Sequence, residues 1–286
     1  MYHSRSCSIM DLADSMTIGS LQRSYRVHLP STSAPMNGLL LLFHGGGATG
    51  RGMPILTHFD EITDRERFVV VYPDGYRRHW TDSRGTNALE IEDVDDVGFV
   101  SSLIRKMITD YKLDEEHVYA AGISNGGFFS QRLAIEIPEQ IRGIATVAAT
   151  MPLPLSETQF LKKPISVMLI HGTDDPLVPF GGGHVRAGAK GPILSAHDSA
   201  IKWARLNGCV SEPEITYLQN RVDDSTRVRV EKYGSGKENT EVILYVIEGG
   251  GHTWPGGWQY FPVRIIGRTS HNLDASQEIM DFFKRH

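Results

Sequence analysis

Six short apolar runs, most of them stopped by a glycine-bearing turn, constrain this chain more than any other feature of its sequence. They lie at 39–43, 68–72, 118–121, 141–149, 165–170 and 242–247. The first ends at His44-Gly45-Gly46-Gly47, the second at Pro73-Asp74-Gly75, the third at Gly122, the fifth at His171-Gly172 and the sixth at Gly249-Gly250-Gly251. A strand with one wet face alternates apolar and polar residues. A run without alternation suits a strand buried on both faces, as in a parallel sheet. The stretches between the runs carry helical spacing. From Asp95, apolar residues recur at Val97, Val100, Leu103, Ile104, Met107 and Ile108, with Asp95 or Asp96 as N-cap. Residues 195–206 and 274–284 read as further helices. Strands alternating with helices predict an α/β fold with a mostly parallel, twisted central sheet flanked by helices. Ligands bind such sheets at the carboxyl ends of the strands, which is where the glycine clusters sit. Residues 25–29 alternate and read as an edge strand. Residues 1–20 are polar and aperiodic and are expected to form a loose N-terminal tail. Residues 21–286 show no repeat or linker and read as one domain.

At 286 residues the chain can bury a full core without a disulfide or metal to hold it. Its formal net charge of −5 argues against a nucleic-acid or membrane-surface binder, which would carry a basic stripe. No apolar stretch is long enough to span a bilayer, and the first residues lack the apolar region of a signal peptide. The two cysteines, Cys7 and Cys209, leave the redox compartment open and pair only if the N-terminus reaches the second half of the fold.

The chemistry centres on Gly122-Ile123-Ser124-Asn125-Gly126. G-x-S-x-G alone is a weak pattern. Here a buried strand precedes it and a helical pattern follows it, as a nucleophile elbow requires. A serine in a tight strand-to-helix turn needs nearly bare neighbours two residues away, and both are glycine. Serine is a weak nucleophile; it needs a base, and the base needs an orienting acid. On this architecture the chain order is Ser, acid, His. Residues 165–170 lead into His171-Gly-Thr-Asp-Asp175, so Asp175 is the expected acid, with Asp174 competing. Residues 242–247 lead through three glycines, read as a mobile approach, to His252, the expected base. His184, His197 and His271 also follow the acid but do not directly follow a buried strand. Acyl transfer places negative charge on the carbonyl oxygen, and two backbone N–H groups should meet it. Asn125, after the nucleophile, and Gly46, in the first glycine cluster, are the expected donors, with Gly47 beside Gly46.

Gly45 to Gly50 also fits G-x-G-x-x-G, a dinucleotide fingerprint. Its acidic partner would be Glu66, which precedes the strand at 68–72 instead of ending it. The reading also leaves Ser124, Asp175 and His252 without a role. The acidic stretch at 93–98 fails as a calcium loop because Val97 and Ile104 hold positions that need oxygen ligands. His79 and Asp82 lack the companions of a zinc site. No cofactor and no metal are expected. Trp80, Phe128 and Trp254 lie near strand ends and are expected to line the substrate pocket. The loop at 176–192, with five glycines, is expected to act as a lid.

Taken together, LLLLFHGGGATG, VVVYPDGYRRHW, DVDDVGFVSSLI, DEEHVYAAGISNGGFFSQRLA, HGTDDPLVPFGGG, WARLNGC, EGGGHTWPGG and DASQEIMDFF resemble the polyhydroxybutyrate depolymerase and feruloyl esterase group of α/β-hydrolases. The resemblance runs from about residue 20 to the C-terminus, and the group's triad falls on Ser124, Asp175 and His252. It implies hydrolysis of carboxylic esters without a cofactor. The implied substrates are feruloyl or short acyl esters on plant cell wall, acetylated xylan, or a polyester. It also implies a secreted enzyme, with a cytoplasmic location as the alternative; no nucleic-acid or membrane partner is expected from the charge and composition. One departure stands out: members often pair the cysteine of the NGC segment with another at 233–240, where this chain reads YGSGKENT. A serine peptidase shares the fold and triad. A noncatalytic binding protein on the same fold is the reading from a different class.

Overall fold

Ten strands hydrogen-bond into one sheet in the computed structural model, which describes residues 10–86 and 88–286. In chain order the strands are β1 (Met10–Ile18), β2 (Leu21–Leu29), β3 (Gly38–Phe43), β4 (Phe68–Pro73), β5 (Val118–Ile123), β6 (Gly143–Val147), β7 (Ser166–Gly172), β8 (Gly183–His184), β9 (Pro192–Ile193), β10 (Glu214–Tyr217), β11 (Arg227–Tyr233) and β12 (Val242–Glu248). The helices are α1 (Met53–Thr57), α2 (Phe59–Glu66), α3 (Ala88–Ile91), α4 (Asp96–Tyr111), α5 (Asn125–Glu136), α6 (Ala196–Asn207), α7 (Val263–Ile266) and α8 (Ala275–Phe283). The sheet order is β1-β2-β4-β3-β5-β6-β7-β12-β11-β10, and β8 pairs separately with β9. The six central strands, β4 to β12 in that order, run parallel; they are the six apolar runs of the sequence. Both edges are antiparallel.

Each central strand divides its side chains between two cores. Leu39, Leu41 and Phe43 pack with Phe99 and Val100 of α4, Phe129 and Leu133 of α5, and Trp203 of α6. Leu40 and Leu42 pack on the other face with Phe59 of α2 and with Ile279, Phe282 and Phe283 of α8. Burying both faces is why these strands carry no polar alternation. The helices start where expected. Asp95 caps α4 by accepting from Gly98 N–H at 2.7 Å, Ser195 caps α6 by accepting from Asp198 N–H at 2.9 Å, and Asp274 caps α8 by accepting from Gln277 N–H at 3.1 Å.

Two expectations are corrected at the N-terminus. Residues 10–18 are not a loose tail; they form β1, paired along its length with β2. Gly19, at φ 57, opens the two-residue turn between them, a conformation that costs glycine little. Residues 25–29 therefore belong to a strand with neighbours on both sides, β1 and β4, and β1 is the edge. Cys7 lies outside the described residues, so its pairing does too. Among the described residues Cys209 has no disulfide partner, and its thiol is partly buried.

Candidate active site

β5 runs straight into Ser124, which takes φ 54 and ψ −120 before α5 begins at Asn125. A side chain with a Cβ holds that conformation only under strain, on the order of 1–3 kcal/mol, and such strain concentrates at functional sites. The surroundings hold it in place. Ser124 N–H donates to Val147 O at 2.8 Å, and Phe128 N–H donates to Ser124 O at 2.9 Å. A Cβ on Gly122 would strike the Gly126 backbone, and one on Gly126 would strike the carbonyl oxygens of Phe43 and His44. Both glycines are thus a steric requirement of the turn.

β7 delivers the acid loop. The Asp175 carboxylate is buried, and its Oδ1 accepts from the N–H groups of Leu177 and Val178, both at 2.8 Å. Its Oδ2 stands 2.8 Å from His252 Nδ1. Burial pushes the Asp175 carboxyl up, but the charge and hydrogen bond of His252, helped by the Val178 N–H, outweigh it and hold the group below the ordinary carboxylate range. Asp174 is exposed, and its carboxylate accepts from the Thr173 hydroxyl at 3.0 Å. His184 and His271 are exposed, and His197 pairs with Glu231. The structure therefore brings Asp175 and His252 together and leaves their competitors apart.

The glycines before His252 serve close packing. A Cβ on Gly172 would meet Gly250 and Gly251, and one on Gly251 would meet Ile266 and Gly267. This corrects the expectation of a mobile approach: the acid and base loops lie against each other with no room for side chains. His252 N–H donates to Ile266 O at 2.5 Å, and the Tyr260 hydroxyl donates to His252 O at 2.5 Å. Burial raises the Tyr260 hydroxyl pKa, so it stays a donor. Below the pair, His171 Nε2 lies 2.8 Å from Val178 O and 3.6 Å from Asp175 Oδ2. Burial lowers the His171 pKa, so the ring is neutral, with its proton on the nitrogen that faces the carbonyl.

The first glycine cluster is set by His44. Its Nδ1 is 2.8 Å from Gly45 O, and its Nε2 accepts from Gly75 N–H at 2.9 Å, which fixes the Nδ1–H tautomer. Burial lowers its pKa to about 4. Among the described residues, no backbone acceptor engages the N–H of Gly46, while Gly47 N–H donates to Arg78 O at 2.9 Å and Ala48 N–H to Gly45 O at 3.1 Å. Asn125, the first residue of α5, has its side chain locked. Oδ1 accepts from Trp80 N–H at 2.8 Å, and Nδ2 donates to Trp80 O at 3.0 Å and to Asp82 Oδ2 at 2.6 Å.

Ser124, His252, Gly46 and Asn125 line one cavity of about 740 Å³. The three aromatics expected in it are elsewhere. Trp80 stacks on Phe129 and donates to His44 O, Trp254 packs on Phe59 and donates to Ser276, and Phe128 sits beneath the Arg84 guanidinium. All three are fully buried, their rings turned into the core. The aromatic lining comes instead from Trp258, Tyr260 and Phe261, beyond the base. These were missed because residues 258–266 follow no buried strand and carry no motif. The loop at 176–192 is also not a free lid. It carries β8, which pairs with β9 at its end, packs Val178 and Val185 with Ile193 on Phe128, and is tied by Arg84 Nη1 to Ala189 O at 2.5 Å. It forms a fixed wall.

Comparison with known proteins agrees with this architecture. The sequence pattern of the phospholipase/carboxylesterase family matches residues 27–189, more than half of the chain. A Nocardia uniformis subsp. tsuyamanensis protein named as an esterase, NocK, is 28% identical over 281 residues, covering 94% of this chain and 81% of its own length. Feruloyl esterase B of Piromyces equi is 29% identical over 164 residues, covering 56% of this chain but only 29% of that protein. Among solved structures, the acetyl xylan esterase from Aspergillus awamori superposes with a TM-score of 0.63 at 13% identity, over 98% of this chain and 100% of that one, which speaks to the fold. With the ten-stranded sheet, its six parallel central strands and the elbow at Ser124, this places the chain in the phospholipase/carboxylesterase family of α/β-hydrolases.

Proposed function

We propose that this chain hydrolyses carboxylic esters through an acyl-enzyme, with Ser124 as nucleophile, His252 as base, Asp175 as its orienting acid, and the N–H groups of Gly46 and Asn125 as the oxyanion hole. One observation carries the reading. The Asp175–His252 pair opens onto the same cavity as a strained Ser124 and two backbone donors. His252 Nε2 takes the Ser124 proton as the oxygen attacks the ester carbonyl. Asp175 holds the ring by Nδ1 and stabilises the imidazolium. The protonated ring then gives its proton to the leaving alcohol, and water repeats the sequence to free the acid.

The substrate we propose is an aromatic or short-chain acyl ester of plant cell wall. A largely apolar cavity of about 740 Å³ supports this, since it is large enough for an aryl acid, as does the similarity to a feruloyl esterase. An acetylated polysaccharide fits the same centre. A polyester is favoured by a separate observation: Trp258, Phe261 and Ile265 stand about half exposed at the cavity, an apolar rim suited to a polymer. Purified protein assayed on p-nitrophenyl acetate, butyrate and octanoate and on methyl ferulate, beside Ser124→Ala, tests the proposal. Hydrolysis of short esters and methyl ferulate that vanishes in Ser124→Ala supports it. Activity on simple esters alone removes the feruloyl assignment. A folded protein inert on all of them overturns the reading.

A further inference from the structure

The cavity carries an imbalance of charge that ester hydrolysis alone does not require. Two arginines, Arg78 and Arg84, line it beside His79 and His252, and among the described residues no aspartate or glutamate does. Two of these four are already committed: His252 to Asp175, and Arg84 to Asp82 at 2.6 Å. Arg78 is not. Its recorded side-chain bond runs from Nε to Ala48 O at a long 3.4 Å, and no described carboxylate pairs with it. Its neighbour Arg77 turns the other way and pairs with Glu92 at 2.8 Å.

The backbone holds Arg78 in this place at a cost. Arg77 and Arg78 take φ 48 and φ 64, two successive left-handed residues where glycine or asparagine would sit more easily. Strain of this kind points to a role for the side chain it presents. Arg78 O also accepts the Gly47 N–H at 2.9 Å, which ties the residue to the glycine loop that bears Gly46. Arg78 thus lines the cavity next to the loop that bears Gly46, with its Nε toward Ala48 O.

We propose that Arg78 is a specificity residue that binds a carboxylate on the substrate, so that the preferred ester is an apolar one carrying an anionic group. A guanidinium fork matches a carboxylate in two hydrogen bonds. The apolar side of the cavity, with Leu56, Phe261 and Ile265, takes the rest of the molecule. The inference rests on the esterase reading above.

Two matched ester pairs test it. Mono-4-nitrophenyl glutarate against 4-nitrophenyl butyrate puts the carboxylate on the acyl side. 4-Acetoxybenzoate against its methyl ester puts it on the alcohol side. The quantity read is the anionic-to-neutral ratio of kcat/KM in the wild type, Arg78→Gln and Arg78→Lys, so that intrinsic reactivity cancels between proteins. In one pair the ratio should fall about tenfold in Arg78→Gln, be only partly kept in Arg78→Lys, which retains the charge but not the fork, and shrink as salt is added. Equal ratios in the wild type and Arg78→Gln for both pairs overturn the proposal. Ser124→Ala separates the two levels. Neutral-ester hydrolysis that survives in it overturns the esterase reading and this one together. Hydrolysis that needs Ser124 while the ratios ignore Arg78 overturns this one alone.

Discussion

His44 donates from Nδ1 to the carbonyl oxygen of Gly45 at 2.8 Å, and in a trans peptide that turns the N–H of Gly46 the opposite way, toward the cavity. A buried imidazole therefore aims a donor it does not itself bear. His44→Ala should lower kcat by about 10- to 100-fold with little change in KM, because the oxyanion donor acts mainly in the transition state. It should also lower Tm, since Gly75 N–H loses its acceptor. Steady-state kinetics with a melting curve check both. The same burial sets an acid limit. With the folded pKa lowered to about 4 against an ordinary 6.5, the unfolded chain binds the proton first as pH falls. The His44 contribution is whole above pH 6.5 and is lost progressively down to about pH 4, amounting to roughly 3 kcal/mol. Denaturant titrations between pH 4 and 7 should show midpoints falling through this window, with a smaller fall in His44→Ala.

Asp175→Asn keeps the shape of the site but accepts Leu177 and Val178 N–H through its oxygen and presents an amide to His252 Nδ1. The ring then sits in the wrong tautomer. A fall in kcat on the order of 10⁴, with Tm changed far less than by truncation to alanine, is expected. Stopped assays on 4-nitrophenyl butyrate measure it.

Tyr260→Phe removes the hydroxyl that holds the His252 carbonyl at 2.5 Å. Stability should drop by about 1 kcal/mol. The kcat should fall by roughly tenfold as the base loop loosens, with kcat affected more than KM. Unchanged kcat would mean that the Ile266 and Asp175 contacts position the ring by themselves.

Gly126→Ala is expected to yield little soluble protein, because the added methyl enters the carbonyl oxygens of Phe43 and His44 and neither backbone can retreat from the sheet. Soluble expression and circular dichroism decide this. Gly47→Ala meets open space but sits at φ 78, so it should fold with a cost of about 1 kcal/mol.

The sequence made the middle of the molecule legible and left its margins unread, for a physical reason. Leu39 to Phe43 is apolar throughout because both faces of β3 are covered, and that pattern survives without any structure in hand. β1 and β10 are mostly exposed edge strands, and β11 carries charges between its apolar residues, so their pattern merges with that of loops. The proposed triad of Ser124, Asp175 and His252 could be picked from the sequence because each residue follows a buried strand at a glycine turn. Trp80, Phe128 and Trp254 were misplaced because adjacency along the chain fixes where a residue sits and not which way its ring points. Tyr260 and Arg78 act through tertiary contacts from segments with no periodicity, which no local pattern announces.

The hydrogen-bonded chain from Asn125 through Asp82 and Arg84 to Ala189 makes the far wall of the cavity and the neighbour of the nucleophile one mechanical piece. For anyone reshaping this pocket, the wall is therefore not a graftable loop throughout. Its stretch near Ala189 and Gly191 acts as an anchor, since Gly191 lies directly on Arg84. Bulk can be traded at the exposed Gly181, where an added Cβ meets nothing within 4 Å. Changes at the anchor should register at the reacting carbonyl before they register in substrate choice.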